Sequence, residues 1–282
     1  MTRIDHADLA SLGPHVLVPT MGALHDGHRA LIRLAGDIAS RRGLSGGCVV
    51  TVFVNPTQFN ERDDYDRYPR TLDADIRASI ESGASAVYAP SPEQVYPPGA
   101  EPAVPRLPRV ATAPLLEDRF RPGHFAGVCQ VVHRLFALTR PACAIFGEKD
   151  YQQLQVIRAM TADLGLAVEI IPGPTIRDRD GLAMSSRNGR LAPEQRPAAL
   201  SLSAALCAAQ SATDPLEAES IMVETMRREG AIPEYAAIRD AETLEPNPPA
   251  NATHGPLRAL VAARVGSTRL LDNAPWTSRT AQ

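Results

Sequence analysis

The segment from Val16 to Ala35 constrains this chain more than any other. Val16-Leu17-Val18 is an apolar run. A glycine-bearing turn follows, Pro19-Thr20-Met21-Gly22-Ala23-Leu24. Next comes His25-Asp26-Gly27-His28, with two histidines three apart. Ala30, Leu31, Ile32, Leu34 and Ala35 then recur at helical spacing. The order is strand, tight loop, helix N-terminus. Such a junction is expected to collect unpaired backbone N–H groups at the positive end of a helix dipole, which suits a phosphate. Histidines on the first turn would face the same anion. Two histidines at this spacing also fit half of a metal site, or plain surface positions. A zinc site needs three or four ligands, and Cys48, Cys129, Cys143 and Cys207 are scattered without a C-x-x-C. The glycines and the preceding strand favour the anion site.

Composition narrows the rest. The chain has 282 residues, 44% of them hydrophobic, enough for one large domain or two smaller ones. A net charge of −3 leaves no basic footprint for nucleic acid. No apolar run reaches membrane-spanning length, and the first residues lack the apolar stretch of a signal peptide. Few, unpatterned cysteines fit a reducing compartment. The expectation is a soluble, cytoplasmic protein. Among 29 basic residues one alone, Lys149, is a lysine. Chance survival against a compositional drift to arginine is one explanation. The other is that position 149 needs a compact ammonium that a planar guanidinium cannot imitate.

Strand and helix patterns alternate through the first part of the chain. Val49–Val54, Ser85–Ala89, Cys143–Phe146 and Ala167–Ile171 read as strands. Thr71–Glu81, Gly127–Leu138 and Tyr151–Leu164 read as helices. Residues 90–114 are rich in proline and read as a loop excursion with short extended pieces. The alternation predicts a doubly wound parallel sheet. After about residue 175 the pattern changes. Helices are expected over Pro193–Ala209 and Pro215–Glu229, and strands over Tyr235–Arg239 and Arg258–Ala263. The residues after Asn273 look frayed. The predicted division is a domain of residues 1–175 that binds nucleotide and a smaller α+β domain of residues 176–282.

Four constellations carry chemistry. The first is the loop from Pro19 to His28. The second is Asn55 and Gln58 at the C-terminal edge of a predicted parallel strand, the side where ligands bind. The third is Gly147-Glu148-Lys149-Asp150, with Gln153 four residues beyond the lysine on the same side of the following helix. The fourth is Ser185-Ser186-Arg187, two hydroxyls and a guanidinium that can clamp a phosphate. Nothing resembles a serine–histidine–acid triad or a strong metal box. The residues alone point to an enzyme that holds a nucleoside triphosphate and a small polar acid, acting by positioning and charge stabilisation.

The strings VPTMGALHDGH (18–28), FVNPTQF (53–59), DYDRYPRTLDAD (64–75), RPGHFAGV (121–128), FGEKDYQQL (146–154), DGLAMSSRNGRL (180–191) and VAARVGSTRLLDN (261–273) together resemble the pantoate–β-alanine ligase (pantothenate synthetase) family. They occur in family order across nearly the whole chain. The resemblance implies a Rossmann-like, cytidylyltransferase-type parallel-sheet N-terminal domain followed by a smaller α+β domain. It implies ATP-dependent ligation of pantoate and β-alanine through a pantoyl adenylate, with release of pyrophosphate and AMP. His25 and His28 take the places of an H-x-G-H signature. Met21, Gly22, Ala23, Leu24, His25, Asp26, Gly27, His28, Gly147, Glu148, Lys149, Asp150, Ile176, Met184, Ser185, Ser186 and Arg187 match ATP-contacting positions. Gln58 and Gln153 match those that hold pantoate, with Asn55 beside them. The catalytic set so implied is His25, His28, Lys149, Ser185, Ser186 and Arg187. Ser185–Arg187 would lie in a mobile loop like the KMSKS loop of other adenylating enzymes. Mg²⁺ with the ATP and a homodimer are also implied.

The chain departs from the family pattern at Ala142, where aspartate is common, at Phe120, where a small residue is usual, and at Gly173, where valine is common. Two other functions are compatible with parts of the pattern. H-x-G-H also occurs in nucleotidyltransferases that act on phosphate esters, and AMP release that depends on both pantoate and β-alanine separates the two. A non-catalytic homologue would place no demand on His28, Lys149, Ser185 or Arg187, all of which are present.

Overall fold

The computed structural model describes residues 2–59, 62–99, 104–246 and 255–278. Its contacts gather into two units, one of residues 1–112, 117–148 and 153–174, the other of residues 113–116, 149–152 and 175–282.

The first unit is built on a six-stranded sheet. Its strands are β1 (Thr2–Ile4), β2 (His15–Thr20), β3 (Gly47–Val52), β4 (Ala86–Tyr88), β5 (Cys143–Gly147) and β6 (Glu169–Gly173). The order is β1-β4-β3-β2-β5-β6 and every pairing is parallel. The connections carry α1 (Asp26–Arg42), α2 (Arg62–Asp66), α3 (Leu72–Glu81), α4 (Pro92–Val95), α5 (Glu117–Phe120), α6 (His124–Thr139) and α7 (Tyr151–Asp163). The strands are apolar at successive positions because both faces are covered. On one face Val16, Val18, Cys48, Val50, Cys143 and Ile145 pack with Ile32, Ala35 and Ile38 of α1. The intervening Leu17, Val49 and Ala144 are equally buried, and Phe136 of α6 meets Phe146 edge-on. The chain moves outward from β2 to β3 on one side, and β5 occupies the other. The order therefore reverses between β2 and β5, and ligands bind at the C-terminal strand ends beside such a reversal. Those ends lead into Met21–His28 and into Gly147–Glu148.

The second unit has an antiparallel sheet of β7 (Ile232–Asp240), β8 (Leu257–Val265) and β9 (Thr268–Trp276), in that order. Leu202, Leu206, Met222 and Met226 from α8 (Arg196–Ala208) and α9 (Pro215–Arg228) pack against Ile238, Val261 and Leu270 of the sheet. The Asp214 carboxylate caps α9 by accepting from Glu217 N at 2.9 Å, and Pro215 opens the helix.

The α/β expectation and the smaller antiparallel α+β unit are both observed. Several boundaries differ. The chain after Asn273 is not frayed at once: β9 continues to Trp276, which is buried and donates its Nε1–H to Ala209 O at 2.8 Å. Residues 279–282 lie outside the described residues. β1 was not foreseen. β6 runs to Gly173 instead of Ile171, since an edge strand tolerates Pro172. The first helix of the second unit starts at Arg196, after a 3₁₀ turn over Pro193–Gln195. The proline-rich stretch holds α4 and a 3₁₀ turn, Arg109–Ala111, in place of extended pieces. Its residues 100–103 lie outside the described residues. At Gly173, a Cβ would sit 2.1 Å from Leu31 Cδ2. The leucine of α1 thus fills the space a larger residue would take.

Candidate active site

In the first unit the site is built on the β2–α1 loop. Gly22 and Ala23 both have positive φ, 83° and 51°. A left-handed alanine is strained, and here a buried carboxylate holds it. Asp75 of α3, 2% exposed, accepts from Ala23 N at 3.2 Å, from Leu24 N at 2.9 Å and from Thr71 Oγ1 at 3.1 Å. Gly22 has to be glycine for a second reason, because a Cβ there would lie 2.8 Å from Asp75 Oδ2. Gly22 N donates to Thr20 Oγ1, which in turn donates to Thr51 O. The loop N–H groups of Gly22, Ala23 and Leu24 therefore bond inward. Unpaired N–H groups were expected at this junction, and these three are not among them: Asp75 and Thr20 take them.

His25 is the N-cap of α1, and its Nδ1 accepts from Gly27 N at 3.2 Å. His28 Nδ1 accepts from His25 N at 3.3 Å. The two rings stand 4.1 Å apart, centroid to centroid. An imidazole nitrogen that accepts a backbone N–H carries no hydrogen, so this bonding assigns both ring hydrogens to Nε2. The pair sits at a helix N-terminus, where the dipole favours an anion.

Gln58 is held from several directions. Asn55, 1% exposed, donates its Nδ2 hydrogens to Gln58 Oε1 at 3.2 Å and to Gly127 O at 3.1 Å. Its Oδ1 accepts from Tyr96 OH at 2.7 Å and Thr57 Oγ1 at 3.1 Å. Burial raises the Tyr96 phenol above its usual range, which keeps it a donor. Gln58 Nε2 contacts Met21 Sδ at 2.9 Å. The Gln58 carbonyl accepts from His124 Nδ1 at 2.9 Å, and His124 Nε2 faces Arg121 Nη1 at 3.0 Å. A Cβ on Gly127 would lie 2.4 Å from Thr57 O, so glycine alone lets α6 approach the Gln58 turn. The structure thus brings Met21, Asn55 and Gln58 together. Gln153, half-buried, lies on the first turn of α7.

In the second unit Lys149, half-buried, sits in the 3₁₀ turn Glu148–Asp150, and its carbonyl accepts from Asn273 Nδ2 at 2.9 Å. Ile176 and Met184 are brought together: Met184 N donates to Ile176 O at 2.9 Å beside an antiparallel bridge of Arg177 to Ala183. Arg177 forks onto Asp272, which raises the guanidinium further above its ordinary range. Arg196 spans Asp178 and Asp180 and holds the Asp180 carboxyl below the usual range. Ser185 caps the 3₁₀ turn Ser186–Arg190 by accepting from Arg187 N at 3.2 Å. Among the described residues no three His, Cys, Asp or Glu side chains group as a metal site. No described helix is long and apolar enough to cross a membrane.

Asp75, His124, Gly127 and Asn273 were not singled out from sequence. All four lie inside three of the quoted strings. Their value shows only when their backbone partners, far off in sequence, are in place.

The sequence model described as pantoate-beta-alanine ligase matches residues 6–275. A pantothenate synthetase of Nocardioides sp. is 48% identical over 267 residues, spanning 92% of this chain and 78% of its own. One from Rubrobacter xylanophilus is 47% identical over 270 residues, spanning 92% and 89%. The crystal structure of the Thermus thermophilus pantothenate synthetase superposes with a TM-score of 0.87 at 41% identity, over 97% of this chain and 99% of that one. The pantoate-beta-alanine ligase of Francisella tularensis, complexed with beta-gamma ATP and beta-alanine, gives 0.74 at 32% identity over 96% and 94%. Matched over residues 6–275 and nearly half identical to these relatives, the chain belongs to the pantoate–β-alanine ligase family.

Proposed function

We propose that this chain joins pantoate to β-alanine in two steps driven by ATP. In the first, a pantoate carboxylate oxygen attacks the ATP α-phosphorus. The bond to the bridging oxygen breaks and pyrophosphate leaves, giving pantoyl adenylate. In the second, the β-alanine amine attacks the acyl carbon. A C–N bond forms, the acyl–phosphate bond breaks, AMP leaves and the amine gives up a proton. The observation that carries this reading is the reciprocal cap that seats His25 and His28 side by side at the start of one helix.

Charge grows on the α-phosphate oxygens as the carboxylate attacks, and donors aimed there lower the barrier. His25, His28 and Lys149 serve this purpose. Ser185, Ser186 and Arg187 hold the leaving pyrophosphate. Met21 to Leu24, Asp26, Gly27, Gly147, Glu148, Asp150, Ile176 and Met184 line the nucleotide. Gln58 and Gln153 grip pantoate oxygens as neutral groups, adding no competing nucleophile, and Asn55 contributes by fixing Gln58. Residues 1–175 act as the nucleotide- and pantoate-binding domain, and residues 176–282 as the smaller domain that carries the Ser-Ser-Arg loop. Mg²⁺ travels with ATP. It would be held mainly by phosphate oxygens and not by an all-protein cage. The working form is a cytoplasmic homodimer.

The test is omission of each substrate in turn. Pantoate and ATP alone should release one enzyme equivalent of pyrophosphate quickly, with slow turnover afterwards. AMP should appear at speed only with β-alanine. Pyrophosphate that waits for β-alanine would sink the discrete adenylate. Sedimentation of the purified chain checks the dimer.

A further inference from the structure

Two adjacent residues of β9 tie down two separate segments of the second unit. Asn273 Nδ2 donates to Lys149 O at 2.9 Å. Asp272 receives the Arg177 fork, Nη1 to Oδ2 at 2.6 Å and Nη2 to Oδ1 at 3.0 Å. Arg177 Nη1 also donates to Gly181 O at 3.1 Å, which pins the start of the stretch that ends in Ser185–Arg187. Asp272 Oδ1 accepts from Asn273 N at 2.8 Å, so the two ties are themselves joined. Both residues are 3% exposed. On its far side Asn273 Oδ1 accepts from Arg258 Nε at 2.8 Å and from Nη2. The Arg258 guanidinium lies 4.0 Å from the ring centre of Tyr151, two residues past the lysine.

From this arrangement we infer that Asp272 and Asn273 are positioning residues for adenylation. Asn273 sets the backbone of Lys149, and Asp272 sets Arg177 at the entry to the Ser-Ser-Arg loop. The inference rests on the reading that Lys149 and Ser185–Arg187 act on ATP. Asparagine suits its place for a definite reason. It must accept from a guanidinium through one end and donate to a carbonyl through the other. Aspartate would keep the Arg258 contact and strengthen it, but it would set a carboxylate oxygen against the Lys149 carbonyl. Asn273→Asp therefore breaks the lysine tie while leaving the buried arginine paired.

The experiment measures single-turnover pyrophosphate release from pantoate and ATP, ATP KM and thermal melting for Asn273→Asp, Lys149→Ala and Trp276→Phe. Trp276→Phe removes the indole bond to Ala209 O and weakens β9 without touching either tie. A misplacement of about 1 Å at a reacting centre can lower a rate by on the order of 100-fold. Asn273→Asp should melt near the wild type and release pyrophosphate on the order of 10- to 100-fold more slowly, with ATP KM little changed. Trp276→Phe should melt lower and keep its rate. If Asn273→Asp does not fold, Arg258→Lys takes its place, since it loosens the Asn273 clamp and keeps the positive charge. A folded variant of either kind that keeps the wild-type rate, beside a Lys149→Ala variant that loses it, overturns the inference and spares the lysine. A Lys149→Ala variant that keeps its rate overturns both.

Discussion

Asp75→Asn tests how the β2–α1 loop is held. One Asp75 oxygen accepts from Leu24 N at 2.9 Å, and the other accepts from Ala23 N at 3.2 Å and Thr71 Oγ1 at 3.1 Å. An asparagine can keep the shorter bond through its carbonyl. Its NH₂ group then faces Ala23 N, donor against donor, while the Thr71 hydroxyl can turn and accept. The net loss is one hydrogen bond to a charged acceptor, about 1.5–3 kcal/mol, with a buried N–H left unpaired. Relaxation of Ala23 from φ 51° returns part of this, since a left-handed non-glycine residue stores roughly 1–3 kcal/mol. Stability should therefore fall by only about 1–2 kcal/mol. Activity should fall further, because the relaxed loop no longer sets His25 and His28. A shift of about 1 Å at those rings would lower adenylation on the order of 100-fold. Urea unfolding and single-turnover pyrophosphate release, run together, read the two effects separately. Thr71→Val, which removes one donor and leaves the loop N–H bonds, should be mild in both assays. An Asp75→Asn protein that adenylates within about threefold of wild type, well under the expected loss, would refute the claim that this carboxylate shapes the loop.

Three further outcomes are expected. Gly127→Ala sets a Cβ 2.4 Å from Thr57 O and 2.7 Å from Gln58 Cα; overpacking of this kind costs about 1–3 kcal/mol, and it should raise pantoate KM with ATP KM unmoved, so equal changes in both would count against it. Lys149→Arg should slow adenylation at least about 100-fold, nearly as much as Lys149→Ala, because the planar fork cannot replace a compact ammonium; a variant that keeps most of its rate would mark the lone lysine as compositional drift. His15, 1% exposed, donates through Nδ1 to Gly13 O at 3.0 Å, and its Nε2 has no partner among the described residues. Burial lowers its pKa below the ordinary 6.5. Below pH 6.5 the unfolded chain therefore takes up a proton the folded chain resists, and stability falls with pH until the folded pKa is passed; urea unfolding of His15→Gln across that window should show a shallower decline than wild type, and parallel profiles would exclude His15 as the cause.

Local features were legible in the sequence and remote ones were not. The β2–α1 junction could be read because strand, glycine turn and amphipathic helix are neighbours in the chain. β1 could not, since three residues give no periodicity and its sheet partner, β4, is remote in sequence. β9 was not foreseen either, since its buried polar Asp272 and Asn273 give no apolar strand pattern. Their burial comes from Arg177 and Arg258, which no local pattern brings near. Asp75 was hidden likewise, since its partners are backbone N–H groups of a loop earlier in the chain. Unpaired loop N–H groups were expected because the sequence does not show what bonds to them. The four constellations were legible as segments, and the family resemblance supplied the roles that spacing alone left open.

The order reversal at β2 also bears on how the first unit forms. β2 gains one neighbour, β3, soon after it is made, but its other neighbour is β5, whose Cys143 pairs with Val16. Closing so long a loop is slow compared with the local contacts of a helical bundle. Until β5 docks, Val16, Leu17 and Val18 form an open, apolar strand edge of the kind that recruits strands from other chains. The strand that feeds the His25–His28 pair is therefore a vulnerable edge during folding. The yield of active chain at high concentration depends on how fast β5 arrives as well as on the stability reached once it has.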